Sequence, residues 1–363
     1  MLNTLLTKID KSLASFLDTV EKEYKFHLVG RILYDSIREF SLREGKRIRP
    51  LLFILSYKGY APKGKKIPAS LYHASTCIEF LHNFMLIHDD IIDRSDLRRG
   101  KPTMHRLLQK AVPVADPDRL GKDLAIIAGD IVYALAIDAF LAIKEDPARK
   151  ERALKYFIQT AAFTAMGEFV DTLHGVNQLK NISEDDVFLN YSLKTARYTF
   201  DCPMVTGAIL AGASERETRR LAEFGLLIGQ AFQIQDDIIG IFETEKAIGK
   251  SILSDLAEQK KTLLMVHANK ALHGATHRRF MALFLKPSPT LADLDTMRTI
   301  LVDSKSLAYA LDAMRTRTAK ADAILKNLHM TDCYKTIIHT ALFDLFRHAE
   351  TVAKAWPIYR SRR

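Results

Sequence analysis

The run EFLHNFMLIHDDIIDRSDLRRGKPTMH, residues 79–105, sets Asp89, Asp90 and Asp93 into an otherwise apolar helical pattern. At ~100° and ~1.5 Å per residue, positions four apart stack on one helix face. Asp89 and Asp93 therefore point the same way, with Asp90 beside them and His82 on the same stripe. Carboxylates this close repel one another, and burying them without a cation is costly. Hard oxygen ligands that need positive charge suit Mg²⁺ or Ca²⁺ rather than a soft metal. Around a helix end expected at Gly100–Pro102 stand Arg98, Arg99 and Lys101 as the neighbouring cations. Guanidinium and ammonium groups suit a phosphate. Carboxylates beside cations read as a site for a metal-bound diphosphate.

One DDxxD run is more often a solvated acidic face than a metal site, and a second copy shifts that balance. GQAFQIQDDIIG places Asp236 and Asp237 after another apolar run, again near a helix end. Two such motifs facing each other across a cavity would hold several Mg²⁺ ions.

The rest of the chain fits a helical host. Of 363 residues, 48% are hydrophobic and 26% charged, ordinary values for a soluble globular protein. The net charge of +10 implies an affinity for anions without naming them. Cys77, Cys202 and Cys333 are odd in number and far apart, which excludes a disulfide framework or zinc spacing and favours a reducing compartment. The N-terminus has no signal-peptide pattern, so a cytoplasmic setting is expected. Leu124 to Ile143, interrupted by Asp130 and Asp138, is expected to be a buried helix and not a membrane span.

Apolar residues recur at helical spacing almost throughout, and strand alternation is nearly absent. The expectation is an all-α chain of about ten to twelve helices by apolar period. No repeat, low-complexity tract or linker forces a boundary, so residues 1–363 read as one domain. Ser183 with Asp186 marks a helix start ahead of Lys194 and Thr195, and Pro203 interrupts the helix that follows. APKGKKIP is a polar loop, and Lys246 to Lys261 is a lysine-rich one.

Five motifs occur in order: GKRIRP at 45–50, HDDIID with LRRGKPT at 88–103, Lys194-Thr195, FQIQDD at 232–237 and GKSILSDLAEQKK at 249–261. The ordered set resembles the trans-type isoprenyl diphosphate synthases, the head-to-tail prenyltransferases. The likeness covers residues 40 to 265 directly, and most resembles enzymes making geranylgeranyl or farnesyl diphosphate. It implies a helical bundle around a deep hydrophobic cavity, a homodimer, and Mg²⁺ at three ions per site. It also implies the reaction. An allylic diphosphate (dimethylallyl, geranyl or farnesyl) ionises, the double bond of isopentenyl diphosphate attacks the carbocation, and loss of a proton leaves a chain five carbons longer. The physics agrees, since breaking the carbon–oxygen bond needs charge stabilisation on the departing diphosphate, and the cation needs a dry, apolar setting.

By position, the resemblance makes Asp89 and Asp93, with Asp90 between them, the metal-binding residues of the first motif, and Asp236, with Asp237 beside it, those of the second. Arg98, Lys194 and Lys250 become the cations for the allylic diphosphate, with Gln233 and Thr195 as polar neighbours. Lys46, Arg49, His82 and Arg99 become the isopentenyl diphosphate pocket, and Lys260 the lysine of a closing loop. Phe84 and Met85, five and four residues before the first aspartate, become the floor under the growing chain. Bulk at both positions is what farnesyl-making relatives often carry, whereas one aromatic at the fifth position, Phe84, in a first motif without an insertion resembles the pattern in which growth stops near twenty carbons, at geranylgeranyl diphosphate. Farnesyl or a longer polyprenyl diphosphate is the alternative.

The chain departs from the family pattern at three places. Gly240 stands where many members carry a third aspartate, Glu168 where a glutamine is usual, and Gln259 where a glycine precedes the loop lysine. A terpene cyclase would have no use for GKRIRP and would carry a different second motif. A non-catalytic partner subunit would have lost the first aspartates. A nucleic-acid binder would group its basic residues with aromatics, which this chain does not do.

Overall fold

The computed structural model describes residues 2–98, 100–110, 113–243 and 252–356. Helices dominate, as the apolar period requires. Among the described residues the only strands are Leu97–Arg98 and Lys101–Pro102, a two-residue antiparallel pair. Gly100 takes φ +73° between them, a conformation glycine adopts without strain. Short helices such as Met104–Leu108 and Ser254–Ala257 add to those that periodicity reveals, because four or five residues are too few to show a period.

These residues gather into two compact units. The first comprises Met1–Ala161, Tyr198–Arg219 and His329–Tyr334. Its centre is the helix Ser70–Ile92, most of whose residues are buried, and its most extensive partner is the helix Pro117–Leu141. Gly129 makes room for that packing, since a Cβ there would meet His88 Cε1 at 2.2 Å. The helices Ile48–Tyr60 and Cys202–Ala211 pack equally closely, with Phe53 O 2.4 Å from where a Gly207 Cβ would be. Pro203 stands in the first turn of the second of these helices, where the winding of the chain changes after Asp201.

The helix Pro117–Leu141, begun by the Asp116 cap, is half-buried where burial all round is expected. Only 44% of its most apolar window lies inside, and Ile126, Ile127 and Asp130 are exposed on one side. Ala125, Ala128, Val132, Leu135 and Phe140 carry the packed face, while Ile126 and Ile127 face outward. It is also the one helix among the described residues long and apolar enough, by length and composition, to cross a membrane.

The second unit comprises Ala162–Arg197, Arg220–Leu328 and Lys335–Arg363. Leu263–Ala271 packs on Ser306–Lys326, which also meets Leu291–Asp303. The Ser183 capping box opens the helix Glu184–Asn190 as read from sequence, with the Ser183 hydroxyl and Asp186 exchanging hydrogen bonds. From Tyr191 the chain then winds as a π-helix to Asp201, its last four residues counted with the first unit. All three cysteines carry free thiols, Cys77 and Cys202 buried and Cys333 exposed.

Candidate active site

In the first unit, Asp89, Asp90 and Asp93 occupy the last turn of the Ser70–Ile92 helix and its cap. Carboxylate oxygens of Asp89 and Asp93 lie within 4.8 Å of each other. The short hairpin turns Arg98 back onto them, with Nε donating to Asp90 Oδ1 at 2.8 Å and Nη2 to Asp89 Oδ2 at 2.9 Å. Asp90 is fully buried, and burial pushes its carboxyl up to about 6 against the opposing pull of Arg98. Its Oδ2 is buried without a hydrogen-bond partner. Arg99 lies outside the described residues.

Arg49 and His82 meet through Tyr198. Arg49 Nη2 donates to Tyr198 Oη at 3.1 Å and Thr199 Oγ1 at 3.0 Å, and its guanidinium lies 4.8 Å above the Tyr198 ring. The buried His82 imidazole stacks on the same Tyr198 ring, centroids 5.8 Å apart. Lys46 is exposed beside them in sequence.

Within GKRIRP the structure also singles out Arg47. It is buried, takes φ 47° and pairs with Glu79 at 2.8 Å and Asp10 at 2.9 Å. A left-handed arginine is strained and persists where its surroundings over-determine it. Arg43, one turn earlier, grips Glu39 with two nitrogens and donates to Pro102 O at 2.7 Å, which ties down the hairpin that carries Arg98. Arg43, Arg47, Glu79, His82, Asn83 and Arg98 line one polar pocket.

Phe84 and Met85 are half-buried on the same helix. The Phe84 ring lies 4.9 Å from Tyr133 and 4.8 Å from His88, so three rings form one layer. Tyr133 belongs to the neighbouring helix, and no sequence spacing links it to Phe84.

In the second unit, Lys194 Nζ reaches Asp171 Oδ2 at 2.6 Å and Glu168 Oε2 at 2.9 Å. Burial would raise the Asp171 carboxyl, and Lys194 overrides it to hold the group below its ordinary value. Gly167 allows this approach, because a Cβ there would lie 2.4 Å from Lys194 N. Thr195 Oγ1 donates to Gln233 Oε1 at 3.0 Å, so the polar pair read from two separate motifs is brought together.

Asp236 is exposed and Asp237 buried. Asp237 accepts from the Tyr191 hydroxyl, whose oxygen in turn accepts from Leu263 N at 3.1 Å. Burial, opposed by the Tyr191 hydrogen bond, pushes Asp237 up to about 8. The space left by Gly240 is taken by Asp255, whose Oδ2 stands 2.0 Å from a would-be Cβ. Lys260 Nζ holds that aspartate at 2.9 Å and Glu258 at 3.2 Å. Burial alone would lower the Lys260 ammonium, but Asp255 and Glu258 raise it. Gln259, in the place of a glycine, takes φ 51°. Lys250 lies outside the described residues, as does much of the lysine-rich loop before Ile252.

A helical chain with two aspartate motifs, each beside cations, defines a class of diphosphate-handling enzymes. The polyprenyl synthetase family model matches residues 31–300, and the chain belongs to that family. It is a prenyltransferase of the isoprenyl diphosphate synthase kind, a family of metal-dependent enzymes that use isopentenyl and allylic diphosphates. It is similar to the short chain isoprenyl diphosphate synthase of Methanocaldococcus jannaschii, with 30% identity over 84% of each chain. It is also similar to the geranylgeranyl diphosphate synthase of Sulfolobus acidocaldarius, with 31% identity over 72% of this chain and 74% of that one. In fold it is similar to the crystal structure of a Corynebacterium glutamicum geranylgeranyl pyrophosphate synthase complexed with isoprenyl diphosphate and magnesium. That likeness has a TM-score of 0.86 at 24% identity, over 95% of this chain and 99% of the other.

Proposed function

We propose that this chain condenses isopentenyl diphosphate with an allylic diphosphate to make geranylgeranyl diphosphate, with Mg²⁺ as its metal. The observation that carries the reading is the Asp89–Asp93 carboxylate pair with Arg98 folded back beside it. The donor set fits a hard divalent cation. Its ligands are carboxylate oxygens on one helix face, and Asp90 adds a buried oxygen with no hydrogen-bond partner.

Asp89 and Asp93 would hold metal in the first motif and Asp236 in the second, three ions per site in all. Bound there, Mg²⁺ supplies positive charge to the departing diphosphate as its carbon–oxygen bond breaks. Asp237, buried against Tyr191, serves to orient the second motif rather than to touch the metal. Arg98, Lys194 and Lys250 bind the allylic diphosphate, with Thr195 and Gln233 at its reacting end. For Arg98 and Lys194 this means exchanging carboxylate partners for phosphate oxygens of the same charge. Lys46, Arg49, His82 and Arg99 bind isopentenyl diphosphate, and Lys260 closes its loop over the substrates.

The product reading rests on Phe84 and Met85. Phe84 is backed by Tyr133 and His88, so its ring is braced against the push of a growing chain. The names of the relatives support a short product. The family model runs across both compact units, which supports one synthase domain over residues 1–363. Exposed Ile126 and Ile127 in the first unit, and exposed Met166, Phe169 and Val176 in the second, support a homodimer that covers them. A cytoplasmic setting agrees with three free thiols.

The test is chromatography of the dephosphorylated products made from isopentenyl diphosphate and each allylic primer. The wild type should stop at twenty carbons, and Phe84→Ala should add one or more five-carbon units with little loss in the first condensation. A cyclic hydrocarbon, or no extension at all, would overturn the reaction. The same length in both proteins would overturn the role of Phe84.

A further inference from the structure

Arg317 lies beyond residues 31–300, on the helix Ser306–Lys326. Its guanidinium sits 3.7 Å over the Phe188 ring, and its Nε donates to Gln230 Oε1 at 2.9 Å. Gln230 passes the bond on through Nε2 to Ser192 Oγ at 2.8 Å, and Ser192 donates to Phe188 O at 2.7 Å. The chain of donors runs in one direction. We propose that Arg317 is a positioning residue for Lys194, acting through Gln230 and Ser192 on the winding of the Tyr191–Asp201 segment. The proposal rests on Lys194 as a ligand of the allylic diphosphate.

Donor capacity fixes the direction of the bonds. Arginine only donates, so Gln230 must offer Arg317 its oxygen, which leaves the amide nitrogen for Ser192. The Ser192 proton is committed to Phe188 O, so its oxygen is the one that accepts. Without Arg317 the Gln230 amide has no reason to keep this orientation. Two further rungs bind the same pair of elements, Thr195 to Gln233 and Tyr191 to Asp237. A π-helix is rare and is kept where its surroundings fix it, frequently at functional sites. Here three side chains of the Glu215–Phe242 helix fix it on one side, and Gly167 receives Lys194 on the other. Arg317 sets the Ser192 rung, two residues before Lys194, and so sets where that ammonium lies.

The test compares Arg317→Ala, Gln230→Glu and Lys194→Ala, singly and combined, by steady-state kinetics and thermal unfolding. Gln230→Glu is the decisive variant, because it keeps an acceptor for Arg317 and removes the donor to Ser192. It should raise the KM for the allylic substrate about fivefold, with its thermal midpoint not lowered and the KM for isopentenyl diphosphate within about twofold. Arg317→Ala should do the same in the wild type and add nothing in the Lys194→Ala background. An unchanged allylic KM in Gln230→Glu overturns the proposal while the role of Lys194 stands. So does an effect of Arg317→Ala that persists in full in the Lys194→Ala background, which is the mark of a purely structural arginine. If Lys194→Ala itself leaves the allylic KM unchanged, the reading of Lys194 fails and the proposal falls with it.

Discussion

At Gly240 the helix Glu215–Phe242 carries no side chain, and the Asp255 carboxylate fills the place. Counting carboxylates along the second motif makes it one short; in space, an aspartate from the lysine-rich loop stands there, held by Lys260. A new aspartate at 240 must push Asp255 aside and set two like charges against each other. Gly240→Asp should therefore lower kcat about tenfold and raise the Mg²⁺ concentration for half-maximal rate, the size of effect that ~1.4 kcal/mol produces. A Mg²⁺ titration checks it. A lower Mg²⁺ requirement would mean that a third carboxylate had an empty place to fill.

Among the elements, the short helix Met104–Leu108 is held by close backbone approach, since a Gly121 Cβ would meet His105 O at 2.4 Å. His105 is buried there, with Thr103 Oγ1 3.3 Å from its Nδ1. Burial lowers its pKa, helped by Arg106 and Lys122 and opposed by Asp118 and Asp96. The folded imidazole thus stays neutral at a pH where the unfolded one, near 6.5, takes a proton. Below about pH 6.5 the unfolded state binds more protons, so stability falls as pH falls toward the folded pKa. His105→Gln removes that proton-binding difference. Thermal midpoints measured from pH 8 to pH 5.5 should fall less steeply in the variant than in the wild type. Parallel slopes would show that His105 contributes nothing to the acid loss.

Over the whole molecule, what could be read from the sequence was whatever repeats at short range. The 3.6-residue apolar period gave an all-α chain, and the spacing of Asp89, Asp90 and Asp93 put them on one helix turn beside Arg98, where they stand. Thr195 and Gln233 meet as their motifs imply. What escaped depends on approach between distant segments. Nothing local marks Arg47 as a buried left-handed residue paired with Glu79, or brings Tyr133 onto Phe84. The π winding escaped because side chains on other elements fix it, and no local spacing marks it. The outward isoleucines of Pro117–Leu141 escaped because composition reports how apolar a helix is and not which face is covered.

Condensation depends, in the reading proposed above, on metal held by carboxylates of the aspartate motifs. The most direct measurement is turnover of isopentenyl diphosphate with an allylic primer at saturating Mg²⁺, in Asp89→Asn against Asp96→Asn. Asp96 is an exposed neighbour paired with Arg106 at 2.7 Å, outside the motif, and serves as the control. Asp89→Asn should keep its fold and lose about 10²–10³-fold or more in kcat, the scale of losing one preorganised electrostatic contact to the transition state. Asp96→Asn should stay within a few-fold of wild type. Near-normal turnover in Asp89→Asn would contradict the account.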